Sequence, residues 1–133
     1  MPLGMSGVSE LTILAGAAGL AFKEFKMDLS ALQATLRQFA ADRAWQPFHN
    51  PKNLAMALLV EAAELTEIFQ WMTPDEAART RDTPAVQQHL GEEMADVLLY
   101  LLQLADHTGI DLEQAVADKL IKNAQKYPPM PPA

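Results

Sequence analysis

Two pairs of carboxylates are the residues of this chain best suited to chemistry. Glu61 and Glu64 form the first pair, and Glu93 and Asp96 form the second. Each pair has a spacing of three residues, which in an α-helix corresponds to about 4.5 Å of rise and about 60° of rotation. Both acids of a pair therefore share one helix face.

The carboxylates interrupt stripes that are otherwise apolar. At helical spacing, the two stripes read Leu54, Leu58, Glu61, Leu65 and Leu90, Glu93, Val97. An ionised carboxylate held in an apolar interior without a partner costs several kcal/mol, so four of them call for a compensating charge. Carboxylate oxygens are the ligands of hard divalent cations, and the pairs therefore predict a Mg²⁺ site that Mn²⁺ could also occupy.

Several alternatives stay open at this stage. Glu92 could replace Glu93 as a ligand if its helix were rotated, although Glu93 mirrors the spacing of the first pair. One or two of the acids could reach solvent and pair with basic side chains, one could act as a general base towards water, and one or two Mg²⁺ ions could be held. A di-iron centre is not favoured, because neither Glu61 nor Glu93 begins the Glu-x-x-His motif that such bundles use.

Composition narrows the class of protein. The 133 residues suit one domain, and Ala and Leu outnumber Val and Ile, which favours an all-α fold. Seventeen acidic against ten basic residues give a net charge of −7, which argues against a nucleic-acid partner. There is no cysteine, which is compatible with the cytoplasm, and the apolar run at residues 11–22 is too short to cross a membrane.

Helices must position the acids, and the sequence predicts where they run. Hydrophobic periodicity predicts four long helices, over residues 28–45, 51–72, 84–108 and 111–127. A capping-box pattern predicts a short helical turn at residues 73–76. The expected N-caps are Asp28 or Ser30, Asn50, Thr83 and Asp111, and Gly109 is the expected stop of the third long helix.

The predicted domain organisation has three parts. Residues 1–27 are an N-terminal extension that could be an arm, an extra helix, a targeting peptide or a remnant of expression, residues 28–129 form the helical domain, and residues 130–133 are a Pro-rich tail. From Met94 to Ala105 the third long helix is apolar nearly all round, which in a protein this small predicts a subunit interface.

The carboxylate spacing and several separate motifs resemble a known family. The pattern Glu61-x-x-Glu64 followed by Glu93-x-x-Asp96 is similar to the metal signature of the all-α nucleoside triphosphate pyrophosphohydrolases, the MazG-like superfamily. The dCTP pyrophosphatase branch is resembled most, through the motifs at residues 39–45, 48–54, 69–71, 96–100 and 123–128. The resemblance covers roughly residues 29–129.

The resemblance implies a fold, an activity and a set of site residues. The implied fold is a four-helix bundle assembled as a dimer or tetramer, with sites at subunit contacts. The implied reaction hydrolyses a nucleoside triphosphate, such as dCTP or a modified dCTP, to the monophosphate and pyrophosphate, with Mg²⁺ on the four acids. By the same resemblance the base and sugar would be surrounded by Trp45, His49, Asn53, Trp71 and Tyr100, and the phosphates would be reached by Lys119, Asn123 and Lys126.

The residues themselves agree with parts of this assignment. Lys119 and Asn123 are one helical turn apart, so the last helix carries a cationic strip that could meet a triphosphate or simply face solvent. His89 and His107 are predicted to be ordinary helix-surface residues. The competing hypothesis is a non-enzymatic helical oligomerisation module in which the buried acids are structural.

Overall fold

The helices of this protein are connected by short turns. A computed structural model describes residues 27–133, and the N-terminal extension predicted above lies, except for Met27, outside the described residues. No strand occurs between residues 27 and 133, so the all-α prediction is confirmed. The helices are α1 (Leu29–Asp42), α2 (Pro51–Phe69), α3 (Pro74–Ala78), α4 (Pro84–Thr108) and α5 (Leu112–Lys126), with 3₁₀ turns at Gln46–Phe48 and Thr80–Asp82.

Side-chain caps begin three of the long helices, as the sequence predicts. The carboxylates of Asp28 and Asp111 and the amide oxygen of Asn50 each accept a hydrogen bond, of 2.9–3.0 Å, from the backbone N–H three residues on. The short helix α3 has the predicted capping box between Thr73 and Glu76. Thr83 is the N-cap residue of α4, as predicted, but its hydroxyl makes no capping hydrogen bond and instead donates to the Arg79 carbonyl at 3.4 Å.

Two helices end earlier than the sequence predicts. α1 ends at Asp42 rather than Trp45, because Ala44 adopts a left-handed conformation with φ 52° that stops the helix. α2 ends at Phe69 rather than Met72. α4 ends as predicted, at Gly109, whose φ of 69° is one that glycine adopts without strain.

The core forms where α1 and α2 pack against α4. One cluster of buried side chains in this core consists of Leu36, Leu54, Tyr100 and Leu102. The most extensive contact among the described helices is that between α2 and α4. Early residues of α2 lie opposite late residues of α4, and late residues of α2 opposite early ones of α4, so the two helices run antiparallel as predicted. This pairing brings the two carboxylate pairs to the same level of the bundle.

Helix α5 behaves differently from the other long helices. Among the described residues of α5, Leu112 reaches the core, and every residue from 113 onward is exposed. Its apolar side chains Val116, Leu120 and Ile121 face outward without cover from residues 27–133. None of the helices in this part of the chain combines the length and the apolar character of a membrane span.

Candidate functional site

Three of the four predicted carboxylates converge in the seam between α2 and α4. One carboxylate oxygen from each of Glu61, Glu64 and Glu93 lies within 4.8 Å of the others. Glu61 and Glu64 share a face of α2, and the antiparallel packing sets Glu93 of α4 opposite them. We refer to these three residues as the carboxylate cluster.

The donor set of the cluster fits a hard divalent cation. Glu61 Oε2 and Glu93 Oε2 are buried and have no hydrogen-bond partner among the described residues. The pKa of Glu61 is raised to about 7. Burial is the largest cause, and the hydrogen bond with Glu64 and the charges of Glu64, Asp96 and Glu93 add to it. Crowded carboxylates with partnerless buried oxygens are the arrangement that a cation relieves, so Glu61, Glu64 and Glu93 could hold one.

Asp96 borders the carboxylate cluster without joining it. Burial is the largest cause of the raised pKa of Asp96, and the charges of Glu93, Glu64 and Glu92 raise it further. Asp96 therefore lies close to the other acids. Glu92 is exposed, accepts a hydrogen bond from the Gln88 amide at 3.1 Å and lies outside the cluster. The orientation of α4 therefore favours Glu93 over Glu92 as the ligand, as the spacing argument predicts.

Tyr100 continues the polar side of the seam beyond the acids. It is buried, and its pKa is raised by burial and then by the charges of Glu61, Asp96 and Glu64. Further along α4 at helical spacing come Gln103 and His107, so residues 93, 96, 100, 103 and 107 follow one stripe.

A cavity of about 580 Å³ lies beside His49, at the far end of this stripe. The His49 ring is 8% exposed and lies between Trp45 and His107, with ring centroids 6.2 Å and 6.3 Å away. Burial and the charge of His107 lower the pKa of His49, which keeps its ring neutral near pH 7. The cavity is lined by Ala34, Leu36, Arg37, Gln38, Ala40, Ala41, Gln46, His49, Gln103, Asp106 and His107.

A second cavity, of about 590 Å³, opens directly from the carboxylate cluster at the opposite end of α2. Glu64 and Glu93 belong both to the cluster and to the wall of this cavity. The remaining lining residues are Glu67, Ile68, Gln70, Met72, Ala85, Val86 and His89.

The predicted base-contacting residues fall at two ends of one helix. Trp45 and His49 precede α2, whereas Trp71 follows it and is 89% exposed. The 19 residues of α2 span about 28 Å, so these aromatic groups do not meet within one chain. The Asn53 amide donates to the Phe48 carbonyl at 3.0 Å and so secures the connector that carries His49.

The residues predicted to reach phosphate lie on α5, outside the carboxylate cluster. Lys119, Asn123 and Lys126 belong to the part of α5 from residue 113 onward, in which every residue is exposed.

Sequence reasoning missed three side chains that the structure assigns to these cavities. His89 and His107 lie on the helix surface, as predicted, but each also contacts a site residue: His89 Nε2 lies 3.2 Å from Glu93 Oε1, and the His107 ring lies 6.3 Å from that of His49. Gln103 is almost fully buried and lines the His49 cavity. The available signals were the four-residue spacing of His89 and Glu93, and a lone amide within the apolar run of α4.

Comparison with known proteins agrees with this geometry. A model of the MazG-like family matches residues 56–130. The chain is 45% identical to dCTP pyrophosphatase 1 of Mus musculus and 44% identical to that of Homo sapiens, each over 91 residues, or 68% of this chain. The chain spans about half the length of these relatives, since the match covers 54% of each of them.

A solved structure resembles most of this chain. It is a pyrophosphatase from Archaeoglobus fulgidus, 40% identical, with a TM-score of 0.71 over 80% of this chain and 97% of that one. The family match covers more than half of the chain, and the structural match agrees with the arrangement of helices around the carboxylate cluster. The chain therefore belongs to the MazG-like family.

Proposed function

We propose that this protein is a Mg²⁺-dependent nucleoside triphosphate pyrophosphohydrolase that acts on dCTP or a modified dCTP. The observation that carries the proposal is the carboxylate cluster, whose buried oxygens on Glu61 and Glu93 have no partner among the described residues. Support comes from the relatives, which are named dCTP pyrophosphatases, and from the similar structure, which is named a pyrophosphatase.

The proposed reaction consumes one water and cleaves the bond between the α- and β-phosphates, which yields the monophosphate and pyrophosphate. Glu61, Glu64 and Glu93 would hold the cation, with Asp96 at the border of the cluster as the fourth acid. A bound Mg²⁺ would neutralise charge on the phosphate oxygens and orient them. The four acids also supply the candidates for the base that accepts the proton released by water.

The cavity beside His49 is the proposed binding site of the nucleoside. It has room for a pyrimidine, and its wall combines apolar side chains with the neutral His49 ring and the Gln103 amide. Asp96 and Gln103 are seven residues apart on α4, or about 10 Å of rise, so a nucleotide could extend from the carboxylates past Tyr100 to this cavity.

The proposed enzyme is a homodimer or homotetramer whose sites are shared between copies. The exposed apolar face of α5 and the two distant aromatic groups of α2 both support this assembly. A second copy would bring Lys119, Asn123 and Lys126 to the phosphates and Trp71 to the base. The proposed catalytic domain comprises residues 28–129. We propose that the enzyme is cytoplasmic and acts without a nucleic-acid or membrane partner.

The proposal is tested by incubating the purified full chain with each common deoxynucleoside triphosphate, with Mg²⁺ or with EDTA. We expect pyrophosphate and dCMP from dCTP only when the cation is present. Thermal melting with Mg²⁺ and a nonhydrolysable dCTP analogue should show a higher melting temperature than with EDTA. A protein that yields no monophosphate from any nucleotide, and whose melting temperature neither addition changes, would instead be the oligomerisation module.

A further inference from the structure

His89 lies outside the carboxylate cluster and contacts one of its oxygens directly. Its Nε2 lies 3.2 Å from Glu93 Oε1, one turn away on the same helix. The Glu93 side chain is 12% exposed, whereas that of His89 is 59% exposed, so the histidine approaches the buried acid from the solvent side. Glu93 Oε2 remains buried and without a partner among the described residues.

The two oxygens of Glu93 are therefore in different situations. Oε1 is within hydrogen-bond distance of His89 Nε2, whereas Oε2 has no hydrogen-bond partner among the described residues and is available to bind a cation. A glutamate side chain has three rotatable bonds, and a donor that engages one oxygen restricts where the other points. An ionised carboxylate only accepts, so the contact is a hydrogen bond in the ring form that carries a proton on His89 Nε2.

We propose that His89 is a positioning residue, which holds Glu93 in the orientation that the cation requires. This inference rests on the cation site of the proposed function, and not on the nucleotide chemistry. His89 also lines the cavity that opens from the cluster, so its ring stands at the edge of the space through which the cation would enter.

The same helix supplies a matched control. Gln88 donates to Glu92 Oε1 at 3.1 Å, which is a contact of the same spacing, one residue earlier, to an acid outside the cluster. Removal of Gln88 therefore deletes an equivalent contact on the helix surface. A general effect on helix stability would appear in both variants, whereas a positioning effect would appear only at His89.

The test measures Mn²⁺ binding to the full chain without nucleotide, by the electron paramagnetic resonance signal of the free ion. We expect His89→Ala to weaken Mn²⁺ affinity about tenfold. His89→Gln should bind close to the wild-type value, because its amide N–H can still reach Glu93, and Gln88→Ala should be unchanged. With nucleotide, His89→Ala should need more Mg²⁺ for half-maximal rate, and its KM for dCTP at saturating Mg²⁺ should stay the same.

Three results would overturn the inference. Equal weakening by Gln88→Ala would indicate a general helix effect, and failure of His89→Gln to restore binding would exclude the donated N–H as the cause. No Mn²⁺ binding by the wild-type chain would remove the cation that Glu93 is positioned for. If Mn²⁺ binds as expected but no nucleotide is hydrolysed, the inference holds and the proposed reaction fails.

Discussion

Replacement of Glu61 by glutamine should stabilise the cation-free protein above neutral pH. Burial and three neighbouring acids raise the pKa of Glu61 to about 7, from 4.5. Between these values the folded state binds more protons than the unfolded state, so wild-type stability falls as the pH rises from 4.5 to 7. Glu61→Gln removes the titrating carboxyl group, so the stability of the variant should lose the part of its pH dependence that Glu61 causes.

The size of the effect follows from the shift in pKa. A rise from 4.5 to about 7 corresponds to at most about 3 kcal/mol at pH 8, and solvent access to the cluster reduces this to about 1 kcal/mol. In a domain of this size about 1 kcal/mol raises the melting temperature by about 4 °C. The variant should also lose the stabilisation that Mg²⁺ gives the wild type, because one ligand is gone.

Urea unfolding in EDTA at pH 5 and pH 8 measures this prediction directly. Wild type should be less stable at pH 8 than at pH 5, and Glu61→Gln should reduce the difference. Repetition with Mg²⁺ at pH 8 should reverse the order, with the wild type more stable than the variant. A variant that is less stable than the wild type in EDTA at pH 8 would show that Glu61 makes a structural contact, and the electrostatic reasoning would be refuted.

The remaining predictions concern the fourth acid, the strained turn and the exposed helix. Asp96→Asn should lower the rate of pyrophosphate release by at least about tenfold and leave the circular dichroism spectrum unchanged; an active variant would place Asp96 outside the site. Ala44→Gly should stabilise the fold by about 0.5 kcal/mol in urea unfolding. Glycine adopts φ 52° without strain, and its greater freedom in the unfolded chain offsets only part of this gain. A loss of stability would contradict the prediction. Leu120→Asp should reduce the mass seen in sedimentation and abolish activity together, and a variant that sediments unchanged would exclude the α5 face as an interface.

The carboxylate cluster shows how a site can oppose the stability of its own fold. Glu61 and Glu93 occupy positions in helix stripes where Leu or Val would bury apolar surface. At Glu61 the structure instead holds a charge that burial and the neighbouring acids disfavour. The core of Leu36, Leu54 and Leu102 lies next to these acids and stabilises the helices that carry them.

The sequence by itself determined the helices and the two carboxylate pairs. Both depend on local patterns, since helical periodicity, capping residues and a three-residue spacing can all be read within a few turns. The all-α class and the starts of four helices followed from these patterns, and so did the expectation that Glu93 rather than Glu92 lies with the first pair of acids. The start of α4 and its N-cap residue Thr83 were predicted correctly, although the Thr83 hydroxyl makes no capping hydrogen bond.

Tertiary structure decided how these elements meet. The rotation and register of α2 against α4 bring Glu61 and Glu64 together with Glu93 and leave Asp96 at the border of the cluster. No local pattern specifies these relations, because they depend on which side chains interlock across the seam. The same holds for α5, whose amphipathic sequence predicts a helix, whereas the packing alone shows that its apolar face has no cover within residues 27–133.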